Sequence, residues 1–310
     1  MFAKTGESQV HLKMKQQVLL VYNDRAGSLK LKYHLEEVRR LIENEGFQVR
    51  WANLQQVGGI KSMLGNCRAI VVAGGDGTVN LVAEQLLKEE IKNPPPLAVL
   101  PWGTANDLCR QIYRKGSTTA DILAAISKET TTRLDVGQVN DRYFLNAAAA
   151  GMFSDVAYLT PNLAKRLLGK PAYYLHGLAK LLTYRPFRLT IEADGETLEE
   201  EALLFAVLNG SLVGGMFTLV PGAALNDGKL HLLTVKKSLS IAQILKIIYR
   251  ILRGNAPDQP GIINQTAKNI TLQFPADRLL VIDGELGPLP PLQVSLLPRR
   301  LPFYSNISGD

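Results

Sequence analysis

The chain has 310 residues, 46% of them hydrophobic and 20% charged, with a formal net charge of +7. This composition excludes a disordered polypeptide, and two cysteines, Cys67 and Cys109, exclude both a disulfide framework and a CxxC metal site. No apolar run reaches the about 18–20 residues of a membrane-spanning helix, and the excess of lysine and arginine leaves nucleic acid, anionic membrane and phosphorylated ligands all open.

In chain order, Lys13 and Lys15 come too late for a secretory leader, and Val18–Tyr22 is a strand-length apolar run. It ends in the turn Asn23-Asp24-Arg25-Ala26-Gly27. Leu31, Leu35, Val38, Leu41 and Ile42 then recur at helical spacing, and Gly46 closes that helix. Phe47–Trp51 and Ala69–Val72 read as strands, Val79–Leu87 as a helix, and Leu97–Leu100 as a fourth strand after Pro94–Pro96. Strand–loop–helix units in this order imply a mostly parallel, Rossmann-like sheet, whose ligands bind beyond the carboxyl ends of its strands.

From about Leu134 the pattern changes to short strands separated by turn dipeptides such as Asp194-Gly195, Asn209-Gly210 and Asp283-Gly284. The candidates are Tyr143–Asn146, Arg188–Ala193, Ala202–Leu208, Lys229–Val235, Asn269–Phe274, Leu279–Ile282 and Leu292–Leu297. Helical insertions are expected near Leu163–Leu182 and Ile241–Leu252. The fold class is therefore an α/β domain over 1–135, joined to a mainly β sandwich domain over 136–298, with the tail 299–310 expected to pack back on the first.

Two loops carry the chemistry. Gly74-Gly75-Asp76-Gly77-Thr78-Val79-Asn80 follows a strand and opens a helix, so backbone amides and the helix dipole can meet a phosphate there. Thr78 either caps that helix or donates its hydroxyl to phosphate, while Asp76 repels an anion unless a cation or hydroxyl intervenes. A tight turn is the plain alternative. The second loop, Pro101-Trp102-Gly103-Thr104-Ala105-Asn106-Asp107, falls at the same sheet edge and adds a hydroxyl, an amide and a carboxylate. Trp102 either stacks on a base or packs as a buried indole.

GGDGTVN at 74–80 and LPWGTANDLCR at 100–110 resemble the two hallmark loops of the diacylglycerol kinase catalytic-domain superfamily, in particular its soluble bacterial lipid kinases with their NAD-kinase-like fold. The resemblance continues through Leu134-Asp135-Val136-Gly137, Val220–Leu230 and Ile282-Asp283-Gly284-Glu285. It departs at Asp24, where the family often has proline, and around Val49–Asn53, where a nucleotide-contacting threonine is absent.

The resemblance implies ATP and Mg2+ as cofactors. Asn23, Gly75, Asp76, Gly77, Thr78, Val79, Asn80 and Thr104 would contact ATP; Asp76, Asp107 and Asp135 would organise phosphate and magnesium. Glu285, with Asp76, would be catalytic, taking the proton of a lipid hydroxyl. Ala224, Asp227 and Lys229 would hold a structural magnesium through two carbonyls and a carboxylate, although Asn226-Asp227-Gly228 is also sufficient as a plain turn. Asp194-Gly195-Glu196, beside Glu199–Glu201, reads as a hairpin turn without chemistry.

The implied activity is phosphorylation of a lipid hydroxyl, with diacylglycerol giving phosphatidate as the leading expectation. Rivals are kinases of a sphingoid base, of phosphatidylglycerol or of NAD, and a non-catalytic nucleotide-binding regulator. Lys165, Arg166, Lys170, Lys180, Arg185 and Arg188, with Lys246, Arg250 and Arg253, read either as solvated helix faces or as a surface for anionic lipid headgroups. The expected location is cytoplasmic and peripheral to a membrane; nucleic acid is not an expected partner, and a homodimer is left open.

Overall fold

The computed structural model describes residues 16–23, 29–54, 59–152, 184–215, 217–237, 240–252 and 261–306. The turn at 24–28, the expected helix over 163–182 and Arg253 lie outside the described residues.

The first half alternates as expected: β1 (Gln17–Tyr22), α1 (Leu29–Asn44), β2 (Gln48–Asn53), α2 (Lys61–Leu64), β3 (Cys67–Gly74), α3 (Asp76–Lys88) and β4 (Leu97–Pro101), then α4 (Asp107–Ile112) and α5 (Thr119–Ser127). The strands are parallel in the order β2-β1-β3-β4. Their apolar runs are buried from end to end, as a sheet covered on both faces requires: Val18–Val21, Ala69–Val72 and Leu97–Leu100 are each at most 1% exposed. α5 carries a capping box, in which Thr118 accepts from the Asp121 amide and Asp121 accepts from Thr118.

The second half is antiparallel: β5 (Thr131–Val139), β6 (Arg142–Phe144), β7 (Ala147–Gly151), β8 (Phe187–Ala193), β9 (Glu196–Leu208), β10 (Leu212–Val213), β11 (Phe217–Thr218), β12 (Leu230–Lys236), α6 (Ile241–Leu252), β13 (Ile262–Ala267), β14 (Asn269–Gln273), β15 (Leu280–Ile282), β16 (Glu285–Leu286) and β17 (Leu292–Tyr304). Asp194-Gly195 forms the β8–β9 hairpin turn, with both residues at positive φ. Phe187, Phe205 and Phe274 meet at the centre of the sandwich core, with ring centroids 5.0–6.4 Å apart.

β17 belongs to both halves. It pairs with β14 and β5 and, through Phe303 beside Leu97, runs parallel to β4. The order β16-β15-β7-β9-β8-β14-β17-β4-β3-β1-β2 is thus one continuous hydrogen-bonded path.

Candidate active site

The parallel register places Gly74 beside Pro101, so the two glycine loops leave neighbouring strands at the same edge. They then touch. A Cβ built on Gly103 would lie 2.5 Å from the Gly75 Cα, so only hydrogen atoms fit between the two chains. Trp102 does not reach into open space; it packs on the core of the α/β half and meets His34 edge-on at 5.8 Å.

The helix behind the first loop starts earlier than the sequence suggests. α3 begins at Asp76, with Gly75 as its N-cap. Thr78 therefore lies inside the first turn and is buried, its side chain folded over Gly74. The expected capping role is corrected: Gly75 can adopt the extended cap conformation without a side-chain partner, so no hydroxyl is spent on it. Gly77 is exposed, its φ is not positive, and a Cβ there would meet nothing within 4 Å. Neither packing nor backbone geometry requires glycine at that position, and it leaves open space before the first-turn amides. Val79 is buried and Asn80 carries a buried Oδ1 with no hydrogen-bond partner. Thr104 is exposed at the tip of the second loop, and Asn23 follows β1 at the same sheet edge.

The aspartates serve as staples between segments. Asp76 Oδ2 accepts the Asn106 amide at 2.8 Å and Oδ1 the Leu108 amide at 3.5 Å, which fixes the second loop against the first. Asn106, left-handed at φ 53, ties its own loop by accepting from the Gly103 amide and donating to the Gly103 and Pro101 carbonyls. Asp107 reaches into the other half: its oxygens accept the amides of Gly214 at 2.8 Å and Gly215 at 2.5 Å, in the turn between β10 and β11. Burial, with a smaller push from the Asp76 charge, raises the Asp107 carboxyl to about 6. Asp135 is fully buried and accepts the amides of Gly228 at 2.7 Å and Arg299 at 2.6 Å. These three aspartates therefore lie on different backbone segments and do not present free carboxylates to a common point.

Across from α3, the β15–β16 hairpin carries Asp283 and Glu285. Asp283, at φ 47, accepts the amides of Leu145 at 2.7 Å, Asn146 at 3.1 Å and Ala147 at 2.8 Å. Burial raises its carboxyl to about 7. Sequence reasoning assigned Asp283 no role of its own; its position before a glycine was a turn signal, but its three amide partners lie far away in the chain. Glu285 is half exposed and pairs through Oε2 with Arg142 at 3.3 Å.

Among the described residues no group of three acidic, histidine or cysteine side chains is placed to hold a metal ion. At the expected structural site, the amides of Ala224 and Lys229, rather than their carbonyls, point at Asp227, and His231 Nε2 lies 2.9 Å from Asp227 Oδ2. The Ala224 carbonyl accepts the Asp227 amide at 3.3 Å. That donor set satisfies the carboxylate as an Asx turn and, with N–H groups rather than carbonyls facing it, does not fit a bound cation.

Family comparison agrees with this architecture. Residues 17–139 match the diacylglycerol kinase catalytic domain and residues 146–305 the YegS C-terminal NAD kinase beta sandwich-like domain. Diacylglycerol kinases from two strains of Staphylococcus aureus are each 31% identical over 300 residues, covering 94% of this chain and 93% of theirs. A solved diacylglycerol kinase from Bacillus anthracis superposes with a TM-score of 0.76 at 28% identity, covering 94% of this chain and 98% of its own. Yeast NADH kinase, at 12% identity and a TM-score of 0.52 over 94% of this chain and 83% of its own, shares the fold alone.

Proposed function

Because the chain belongs to the diacylglycerol kinase catalytic-domain family and is a lipid kinase, we propose that it transfers the γ-phosphate of ATP to the free hydroxyl of diacylglycerol, giving phosphatidate. The observation that carries the nucleotide half of this reading is the open space in front of Gly77 at the N-terminus of α3. Asn23, Gly75, Asp76, Gly77, Thr78, Val79, Asn80 and Thr104 are proposed to surround ATP, with buried Val79 acting through its backbone. Asp107 and Asp135 are proposed to act by holding the loops and the two halves in place. Magnesium is proposed to arrive as part of the nucleotide substrate, on its phosphates.

Glu285 is proposed as the base. The acceptor hydroxyl passes its proton to the Glu285 carboxylate as its oxygen attacks the γ-phosphorus. The bond from that phosphorus to the bridging oxygen breaks, and ADP leaves with the electron pair. Leu286 directly follows Glu285 and Leu289 lies four residues beyond it; they are 40% and 63% exposed, which supports an acceptor with apolar chains.

Peripheral membrane binding from the cytoplasmic side is part of the same proposal. No helix among the described residues is long and apolar enough to cross a membrane. α6 exposes Lys246 and Tyr249 and buries Ile247, so it offers a cationic and aromatic face suited to anionic headgroups.

The test is radiolabelled ATP offered with a panel of lipids and with NAD, Glu285→Gln alongside. Label is expected in phosphatidate, with Glu285→Gln slower by about 100-fold or more. Label in NAD and in no lipid would overturn the reading.

A further inference from the structure

We propose that Arg142 is a positioning residue for Glu285, and that through Glu84 it ties the base to the helix that starts at the nucleotide loop. The inference rests on the reading of Glu285 as the base.

Glu285 has little to hold it. It lies on the two-residue strand β16 at the end of the sheet path, and its side chain is 52% exposed. A carboxylate there samples several rotamers unless a partner selects one. Arg142, opening β6, supplies that partner: Nη2 donates to Glu285 Oε2 at 3.3 Å and Nη1 to the Leu286 carbonyl at 3.5 Å. One guanidinium thus holds both the side chain of Glu285 and the backbone just after it. Only Oε2 is taken, and among the described residues Oε1 has no partner, so one oxygen is left to receive a proton.

The aim of Arg142 is set from the other half of the molecule. Its Nε donates to Glu84 Oε1 at 2.9 Å, and Lys88 pairs with the same oxygen at 3.1 Å. Glu84 is in the middle of α3, the helix whose first turn faces the nucleotide space, and its side chain is only 15% exposed. The order of contact is therefore α3, Glu84, Arg142, Glu285. The strand that begins at Arg142 leads directly into Leu145–Ala147, whose amides hold Asp283. The hairpin bearing the base is accordingly anchored twice to one segment, by backbone at Asp283 and by side chain at Glu285.

This geometry gives Arg142 a role that stability alone does not. The Arg142–Glu285 pair, half exposed at the glutamate, contributes little to folding, whereas a displacement of a reacting group by about 1 Å can slow a reaction 100-fold.

The test is Arg142→Met and Arg142→Lys, each made in the wild-type and Glu285→Gln backgrounds. They are assayed with ATP and a water-soluble short-chain diacylglycerol, so that membrane binding does not enter. Arg142→Met is expected to lower kcat about 10- to 100-fold with KM for ATP changed less than about twofold, and Arg142→Lys to restore part of the loss. In the Glu285→Gln background Arg142→Met should cost nothing further, because the residue it serves is gone. An equal loss in both backgrounds, or an unchanged kcat in the wild-type background, overturns the inference. Should Arg142→Met not fold, Glu84→Gln releases the guanidinium from α3 and is expected to lower kcat in the same background-dependent way; no effect there overturns it as well. If Glu285→Gln itself turns over like wild type, the assignment of the base fails and takes this inference with it. A silent Arg142→Met beside a dead Glu285→Gln removes the positioning role alone.

Discussion

Gly75 and Gly103 meet backbone to backbone: a methyl on Gly103 would lie 2.5 Å from the Gly75 Cα and 2.8 Å from Asn106 Oδ1. The contact joins the two glycine loops with no side chain between them.

Gly103→Ala must therefore part the loops. The expected cost is about 1–3 kcal/mol of stability together with at least a tenfold loss of ATP affinity, read by urea unfolding and titration calorimetry. Gly77→Ala is the contrasting variant. Its methyl meets no protein atom within 4 Å, so stability should stay within about 0.5 kcal/mol while ATP affinity falls.

Asp107 and Asp283 set the acid side of the stability curve. An unfolded aspartate ionises near 3.8, while burial keeps these two protonated up to about 6 and about 7. Between those limits the folded state binds more protons than the unfolded one, so stability falls as pH rises and levels off above about 7. For Asp107 alone the change is on the order of 2–3 kcal/mol. Asp107→Asn should flatten the slope between about pH 4 and 6, measured by urea unfolding over pH 4–8; an unchanged slope would count against it.

Asp283→Ala should be costly for a different reason. It leaves the amides of Leu145, Asn146 and Ala147 without their shared acceptor and frees the hairpin that carries Glu285. A loss of roughly 3 kcal/mol is expected, with a fall in kcat that persists at temperatures where the variant is fully folded, as checked by circular dichroism.

The turn at Asp227 provides a metal-removal experiment. Its carboxylate is satisfied by two amides and His231, so EDTA should leave the melting temperature of the ligand-free protein unchanged. His231→Ala should lower stability by about 1–2 kcal/mol. A drop on chelation in the unaltered protein would show that the turn holds a cation.

The parallel half was easy to read because its strands are short apolar runs bounded by glycine and proline, and burial on both faces leaves that run as their only signature. Other elements concealed themselves. β17 continues past Leu297 through Pro298 and Pro302, residues that argue against a central strand, and does so by a register shift with Arg299 at positive φ. The strand expected from Ala202 starts earlier, at Glu196, so that the Glu199–Glu201 run belongs to the first part of β9, paired with β8; Glu199 meets Arg188 across the hairpin, while Glu200 and Glu201 meet Lys236 and Lys237. β7 is a row of alanines with low strand propensity, held by β9 and β15 on either side.

At the site, the loops and Glu285 were legible as motifs. The partners of the aspartates were not, since a backbone amide has no letter of its own. Gly214 and Gly215 lie more than a hundred residues from Asp107, and Arg142 is 143 residues from Glu285. Such pairs become visible only when the fold brings them together.

The position of β17 also bears on how the protein is made. Between β14 and β4 sits a strand that leaves the ribosome after all the others described. Until residues 292–304 emerge, β4 presents a bare edge, and Asp135 lacks the Arg299 amide that it accepts in the finished molecule. The α/β half, although synthesised first, must therefore wait with an open, adhesive border until β17 is made.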